Sequence, residues 1–304
     1  MQRAEENVMK DNAKHDKIIK DWYASHTKTE WRRLQQTPYH RIEFSITMHF
    51  LKKYLPKRGT VLDAGGGPGR YSIELAKQGY NIVLLDLVPE MLETARKKMR
   101  RAGVLRKVRQ FAQGSVEDLS AFSDGSFDAV LCLGSPLNHL LETKQRKKAA
   151  EELVRVAKKN APIFVSVISR IGLLKTILAE FPHEMRYAKH HWEVGDYVPG
   201  LQGEGFTAAH WFLPEELREL FERRGVQVLE MVGLEGLSSH LQKQTNRLYK
   251  DQEKWKMWTE VYCWPHAHIH QPLEALNTSS SSAKNKARLL HCHTCKIGTA
   301  IHSL

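Results

Sequence analysis

Apolar positions over residues 11–55 recur at the helical period, with Trp22, Tyr23, Trp31, Ile42, Ile46 and Phe50 supplying apolar faces and Pro38 breaking the run. Pro56 and Gly59 end it. From residue 60 the pattern changes. Short apolar runs at 60–64, 81–85, 108–111, 127–133, 162–168 and 226–232 alternate with helical stretches at 70–78, 89–102, 144–158 and 214–224. Three of those stretches stop at Gly79, Gly103 and Gly225, residues that close a helix in the left-handed conformation, and Pro89 occupies a first turn. Strands alternating with helices predict an α/β fold, a doubly wound and mostly parallel sheet. The reading divides the chain into an N-terminal helical cap over 1–56, an α/β domain over 57–262 with an insert at 181–212, and a tail over 263–304. That tail holds no sustained periodicity, so it is expected to be irregular, and disordered from about residue 277.

Composition changes this picture little. Hydrophobic residues make up 41% of the chain and charged residues 26%, the balance of a globular protein. The longest apolar run, 161–168, has the length of a strand and not of the roughly 18 to 20 residues that cross a bilayer. Residues 1–20 lack the apolar core of a signal peptide, and four cysteines are too few for a disulfide framework. A cytoplasmic location is expected. The net charge of +12 is concentrated: residues 96–109 hold eight basic side chains and no acid, and residues 277–304 hold four more. Without those two segments the chain is neutral. The first lies in the far half of the helix that starts at Pro89, away from the strand ends where doubly wound sheets bind ligands. It is expected to be a solvated face, or a docking patch for an acidic partner.

Chemistry enters where the first strand runs into Asp63-Ala64-Gly65-Gly66-Gly67-Pro68-Gly69. Glycines between a strand and a helix allow a tight turn and close approach of a ligand to the main chain. A dinucleotide fingerprint starting at Gly65 and Gly67 needs its third glycine at position 70, which is Arg70. The spacing is instead D-x-G-x-G-x-G, which resembles motif I of the class I S-adenosylmethionine-dependent methyltransferases. Other segments agree in order. Asp86 ends the second strand, 113–119 resembles the family's adenine-binding segment, and 127–134 resembles its fourth strand. The resemblance covers about residues 30–236. It implies S-adenosylmethionine as methyl donor, admitted at Asp63, Gly65, Gly67 and Gly69. Asp86 would hold the ribose hydroxyls beside Leu87, with Ser115 and Val116 at the adenine and Leu133 at the fourth strand's end.

The acceptor is less legible. The loop 134–139 departs from the N/D-P-P-Y/F pattern of amino-group methyltransferases, and Cys132 lies within a strand, unlike a Pro-Cys nucleophile. The aromatic insert 181–212 is expected to hang over the site as a lid, with Tyr187, His191 and Trp192 on the acceptor. This arrangement resembles the small-molecule, quinone-biosynthesis-like branch. His139, with an ordinary imidazole pKa near 6.5, is the candidate base or positioning group, against a role in capping backbone. Two other readings stay open: an RNA methyltransferase using the basic surfaces, and a donor-binding regulatory protein without turnover. In the tail, Cys292 and Cys295 with His266, His268 and His270 have zinc-ligand character, but no metal is expected because nothing orders the two halves.

Overall fold

The computed structural model describes residues 2–261 and 285–289, with side chains from 14 to 261. Three helices come first: α1 (Gln2–Ser25), α2 (Thr27–Arg33) and α3 (Pro38–Tyr54). Pro38 starts α3 instead of kinking a longer helix, because its ring fits a first turn where no amide hydrogen is needed. The α/β part follows as β1 (Thr60–Ala64), α4 (Arg70–Lys77), β2 (Asn81–Asp86), α5 (Pro89–Arg101), β3 (Val108–Gln113), β4 (Ala129–Cys132), α6 (Thr143–Val156) and β5 (Ile163–Val165). Helices α7 (Arg170–Glu180) and α8 (Ala188–Glu193) and the two-stranded ribbon β6 (Asp196–Tyr197) and β7 (Ala209–His210) form the insert region. Then come α9 (Pro214–Glu222), β8 (Val226–Val228), α10 (Gln242–Leu248), α11 (Gln252–Val261) and β9 (Asn285–Leu289).

Seven strands make one sheet in the order β3-β2-β1-β4-β5-β9-β8, and every adjacent pair is parallel. The central strands are buried on both faces, so Val61, Leu62, Leu84, Val130, Leu131 and Phe164 are almost fully inaccessible. The chain winds outward from β1 toward β3 and then returns to β4 on β1's other side. This reversal leaves a crevice at the carboxyl ends of β1 and β4, the usual ligand position in such sheets.

The expectation of an irregular tail is corrected at residues 285–289. They form β9 and fill the slot between β5 and β8, pairing Phe164 with Arg288 and Gln227 with Lys286. Asn-Lys-Ala-Arg-Leu shows no apolar run; backbone hydrogen bonding to two open strand edges selects it. The tail's histidines and the pair Cys292 and Cys295 lie outside the described residues. Among the described residues no cluster of His, Cys, Asp or Glu is arranged to hold a metal, and no helix is long and apolar enough to cross a membrane.

Candidate active site

The crevice is a cleft of about 1040 Å³, open mouth included, reaching from Asp86 and Ser115 at one end to Tyr23 and His139 at the other. Its floor comes from the loops after β1, β2, β3 and β4. Its cover comes from the N-terminal cap: Asp16, Ile19 and Tyr23 of α1, and Glu30 and Arg33 of α2 with Leu34.

The glycines of the first loop do different jobs. A Cβ on Gly65 would fall 2.3 Å from Pro136 Cγ, and one on Gly69 would crowd Leu84 and Ala95 at 3.1 and 3.3 Å. Gly65 therefore admits the Pro136 ring as well as facing the cleft, and Gly69 lets α4 approach β2 and α5 without lining the cleft at all. Gly67 has φ +52°, and a Cβ there would meet no protein atom within 4 Å. Its side-chain position is open cleft. A ligand, not the protein, is what a side chain at 67 would displace.

Asp86 sits at the end of β2 with both oxygens engaged by backbone: Gly67 N–H donates to Oδ2 at 2.8 Å and Val88 N–H to Oδ1 at 2.9 Å. A carboxylate offers about four acceptor positions, so capacity remains for a hydroxyl donor. Burial pushes its pKa up to about 6, against the opposing pull of those two N–H groups. Asp63 behaves alike: burial raises it to about 6, although Ser72 donates to Oδ2 at 2.6 Å and pulls the other way. Its Oδ1 has no hydrogen-bond partner and is buried in the cleft wall. Two raised carboxyls on one cleft favour a cation. Leu87, Ser115, Val116 and Leu133 all line the cleft, so apart from Gly69 the residues expected around the donor converge.

This architecture fits the known relatives. Residues 61–160 match the family model described as a methyltransferase domain. Over those residues the chain is similar to methyltransferase domains. It is 34% identical over 113 residues to a glycine/sarcosine N-methyltransferase of Parasynechococcus marenigrum, covering 36% of this chain and 39% of that protein. It is 32% identical over 152 residues to a ubiquinone biosynthesis O-methyltransferase of Xylella fastidiosa, covering 49% and 58%. The chain thus spans about two to three fifths of the relatives' lengths. A S-adenosylmethionine-dependent methyltransferase structure from Methanosarcina mazei aligns with 58% of this chain and 83% of its own at 27% identity and a TM-score of 0.48. The cleft fits S-adenosylmethionine, the methyl donor that the D-x-G-x-G-x-G motif implies. Gly67 leaves space at the main chain, Asp86 keeps acceptor capacity beside it, and Asp63 lies buried in the adjoining wall. Leu87, Val88, Met91 and Val116 make an apolar slot at the adenine end.

His139 lines the opposite end, but not as expected. Its Nδ1 lies 3.0 Å from the Ala208 carbonyl oxygen, which can only accept, so Nδ1 carries the hydrogen. Nε2 is then the acceptor for Tyr23 O–H at 2.8 Å. Burial drives the imidazole pKa down to about 4, with the Ala208 bond opposing. The ordinary value near 6.5 is corrected: this ring is neutral, with its lone pair already engaged.

The lid expectation is also corrected. None of Tyr187, His191 and Trp192 lines the cleft. His191 is fully buried and stacks on Tyr197, Tyr187 lies against His191, and Trp192 is half exposed. Their aromatic character serves packing within the insert. The insert approaches the site through Phe206, whose ring lies 6.0 Å from His139 and 5.7 Å from Trp22, and through the Ala208 and His210 carbonyls. The residues that do close the cleft, Ile19 and Tyr23, stand four apart on one face of α1. That spacing is visible in the sequence, but it reads equally as a core-facing helix. Arg33 was hidden likewise. Glu43 holds it at 2.7 Å and Glu30 at 3.2 Å, fixing a guanidinium beside Gly134 where a donor carboxylate can be met.

Proposed function

We propose that the protein transfers the methyl group of S-adenosylmethionine to a small organic acceptor bound between Gly134, Leu133, Tyr23 and His139. Bound donor supplies an electrophilic methyl carbon on a sulfonium, open to in-line displacement. The observation that carries the reading is the covered cleft: α1 and α2 lie across it, which favours an acceptor of small-molecule size over a macromolecular strand. The names of the relatives, an O-methyltransferase of ubiquinone biosynthesis and a glycine/sarcosine N-methyltransferase, support a small acceptor.

The chain's own part is positioning and exclusion of water. Ile19 and Leu34, both nearly fully buried, seal the cover. Tyr23 donates its O–H to His139 Nε2, which fixes where its oxygen stands beside the acceptor. His139 orients Tyr23 instead of serving as a free base, since protonating it works against the burial that holds its pKa near 4. Holding the nucleophile at about 3 to 3.5 Å from the methyl carbon can account for much of the acceleration. The free, fully buried Cys132 suits a reducing compartment, and the proposal places the enzyme in the cytoplasm. Incubation with labelled donor and a cellular small-molecule extract, with and without added RNA, tests the reading. Label in a low-molecular-weight product supports it; label confined to RNA, or donor bound without turnover, refutes it.

A further inference from the structure

Behind His139, away from the cleft, a buried His210 and two buried arginines meet two partly exposed carboxylates in a group that the reaction itself does not use. The His210 ring stands between two carboxylates, with Nδ1 2.6 Å from Asp196 Oδ1 and Nε2 2.8 Å from Glu216 Oε1. Arg170 donates to Glu216 at 3.1 Å, and Arg146 stands 3.8 Å from it. Burial pushes the Glu216 carboxyl up, but the His210 hydrogen bond and the charges of His210, Arg146 and Arg170 hold it below the usual range.

Every connection from this group to the cleft ends on the loop that carries His139. Asn138, fully buried, donates from Nδ2 to the His210 carbonyl at 2.6 Å and to the Ile168 carbonyl at 2.9 Å, and accepts from Ile168 N–H at 2.9 Å. Both amide hydrogens and one of the two oxygen lone pairs are engaged. Arg146 Nη1 donates to the carbonyls of Leu140 at 2.8 Å and Leu141 at 2.5 Å. His139 itself is tied to Ala208, two residues before His210. Four consecutive residues, 138–141, are therefore bonded at each position to the insert, to the end of β5 or to Arg146. The loop enters this stretch through Ser135 at φ +75°, a conformation a serine holds only where its surroundings impose it.

We propose that Asn138, His210 and Arg146 are positioning residues that fix the tautomer and orientation of His139 and, through it, the place of Tyr23 in the cleft. The insert then acts on the reaction from behind the site, as a clamp, and not as a lid above it. This inference rests on the reading that Tyr23 and His139 face the acceptor. The reason for so many charges behind one loop is geometric. A shift of that loop by an ångström can cost roughly 100-fold in rate.

The test reads His139 directly, by nitrogen NMR of histidine-labelled protein with donor and no acceptor, so it is decided whether or not the acceptor reading stands. In the unaltered protein the ring is expected as the Nδ1–H tautomer, titrating near 4. In Asn138→Ser and His210→Gln the tautomer becomes mixed and the titration moves up toward 6.5. With an acceptor in hand, kcat falls by about 10- to 100-fold while donor affinity stays within twofold. In a His139→Gln background, Asn138→Ser adds no further loss, because the two act through one contact. Should Asn138→Ser fail to fold, Arg146→Lys carries the same readings, since lysine keeps the charge but loses the fork that spans two carbonyls. Unchanged His139 tautomer and titration in the folded variants, or fully additive losses in the double variant, would overturn the proposal.

Discussion

Asp86 and Gly67 share one hydrogen bond and one wall of the cleft, and they fail differently when changed. Asp86→Ala removes the acceptors left for the ribose hydroxyls, each charge-assisted bond contributing about 1.5 to 3 kcal/mol. The dissociation constant for S-adenosylmethionine, measured by calorimetry, is expected to rise about 100-fold or more. Gly67→Val places a side chain in open cleft and strains a backbone at φ +52°, so donor binding should vanish while the sheet stays folded; retained binding would mean that the donor lies elsewhere. The carboxyls also predict a pH dependence with a definite sign. Asp63 and Asp86 have pKa values raised to about 6 in the fold, against about 4 in the unfolded chain. Between those values the unliganded fold holds protons that the unfolded chain has released, so these groups weaken it as pH rises from about 4 to 6. A cationic donor prefers the ionised forms and restores the loss. Donor affinity should therefore fall about tenfold between pH 7 and pH 5 for one such group, read by titration at each pH.

At the scale of elements, the cover of the site belongs to α1 and its support to the insert. Tyr23→Phe keeps the ring that packs on His139 and deletes the hydroxyl, so kcat is expected to drop about 10- to 100-fold with donor affinity unchanged. A drop in donor affinity alone would reassign Tyr23 to the donor. The acid limb of the kcat profile should lie below pH 5, where His139 titrates, and not near 6.5. Tyr187→Ala and Trp192→Ala give the contrasting result. Both residues lie off the cleft, so the KM for the acceptor should stay within about twofold and any loss should appear as lowered thermal stability. A raised acceptor KM in both would restore the lid.

Among the described residues, none of the basic run 96–109 lines the cleft. The basic run lies along the second half of α5 and the turn into β3, and only Lys98 reaches back, its ammonium 4.4 Å from the Trp31 ring that also stacks on Arg70. Neutralising Arg100, Arg101, Arg106 and Lys107 should leave methylation of a small acceptor nearly unchanged; a steep, salt-sensitive loss restricted to an RNA substrate would favour nucleic acid as the partner. The alternation of apolar runs and helical stretches, with Asp63, Gly67 and Asp86 at strand ends, is local in sequence. A sheet's topology places the ends of β1, β2 and β4 side by side whatever the loops contain, so the fold and the donor side were legible. Tyr23, Arg33 and β9 were not. Tyr23 meets His139 across 116 residues, Arg33 reaches Glu43 only through the packing of α2 on α3, and β9 is chosen by open backbone edges that no side-chain pattern records. The sequence by itself determined the parallel sheet and the strand-end residues Asp63, Gly67 and Asp86 that line the cleft, because periodicity and turn chemistry act between near neighbours. Only the tertiary structure decided which helix covers the cleft, which proton His139 holds and what stands behind it. Those depend on burial and on partners brought together from distant parts of the chain.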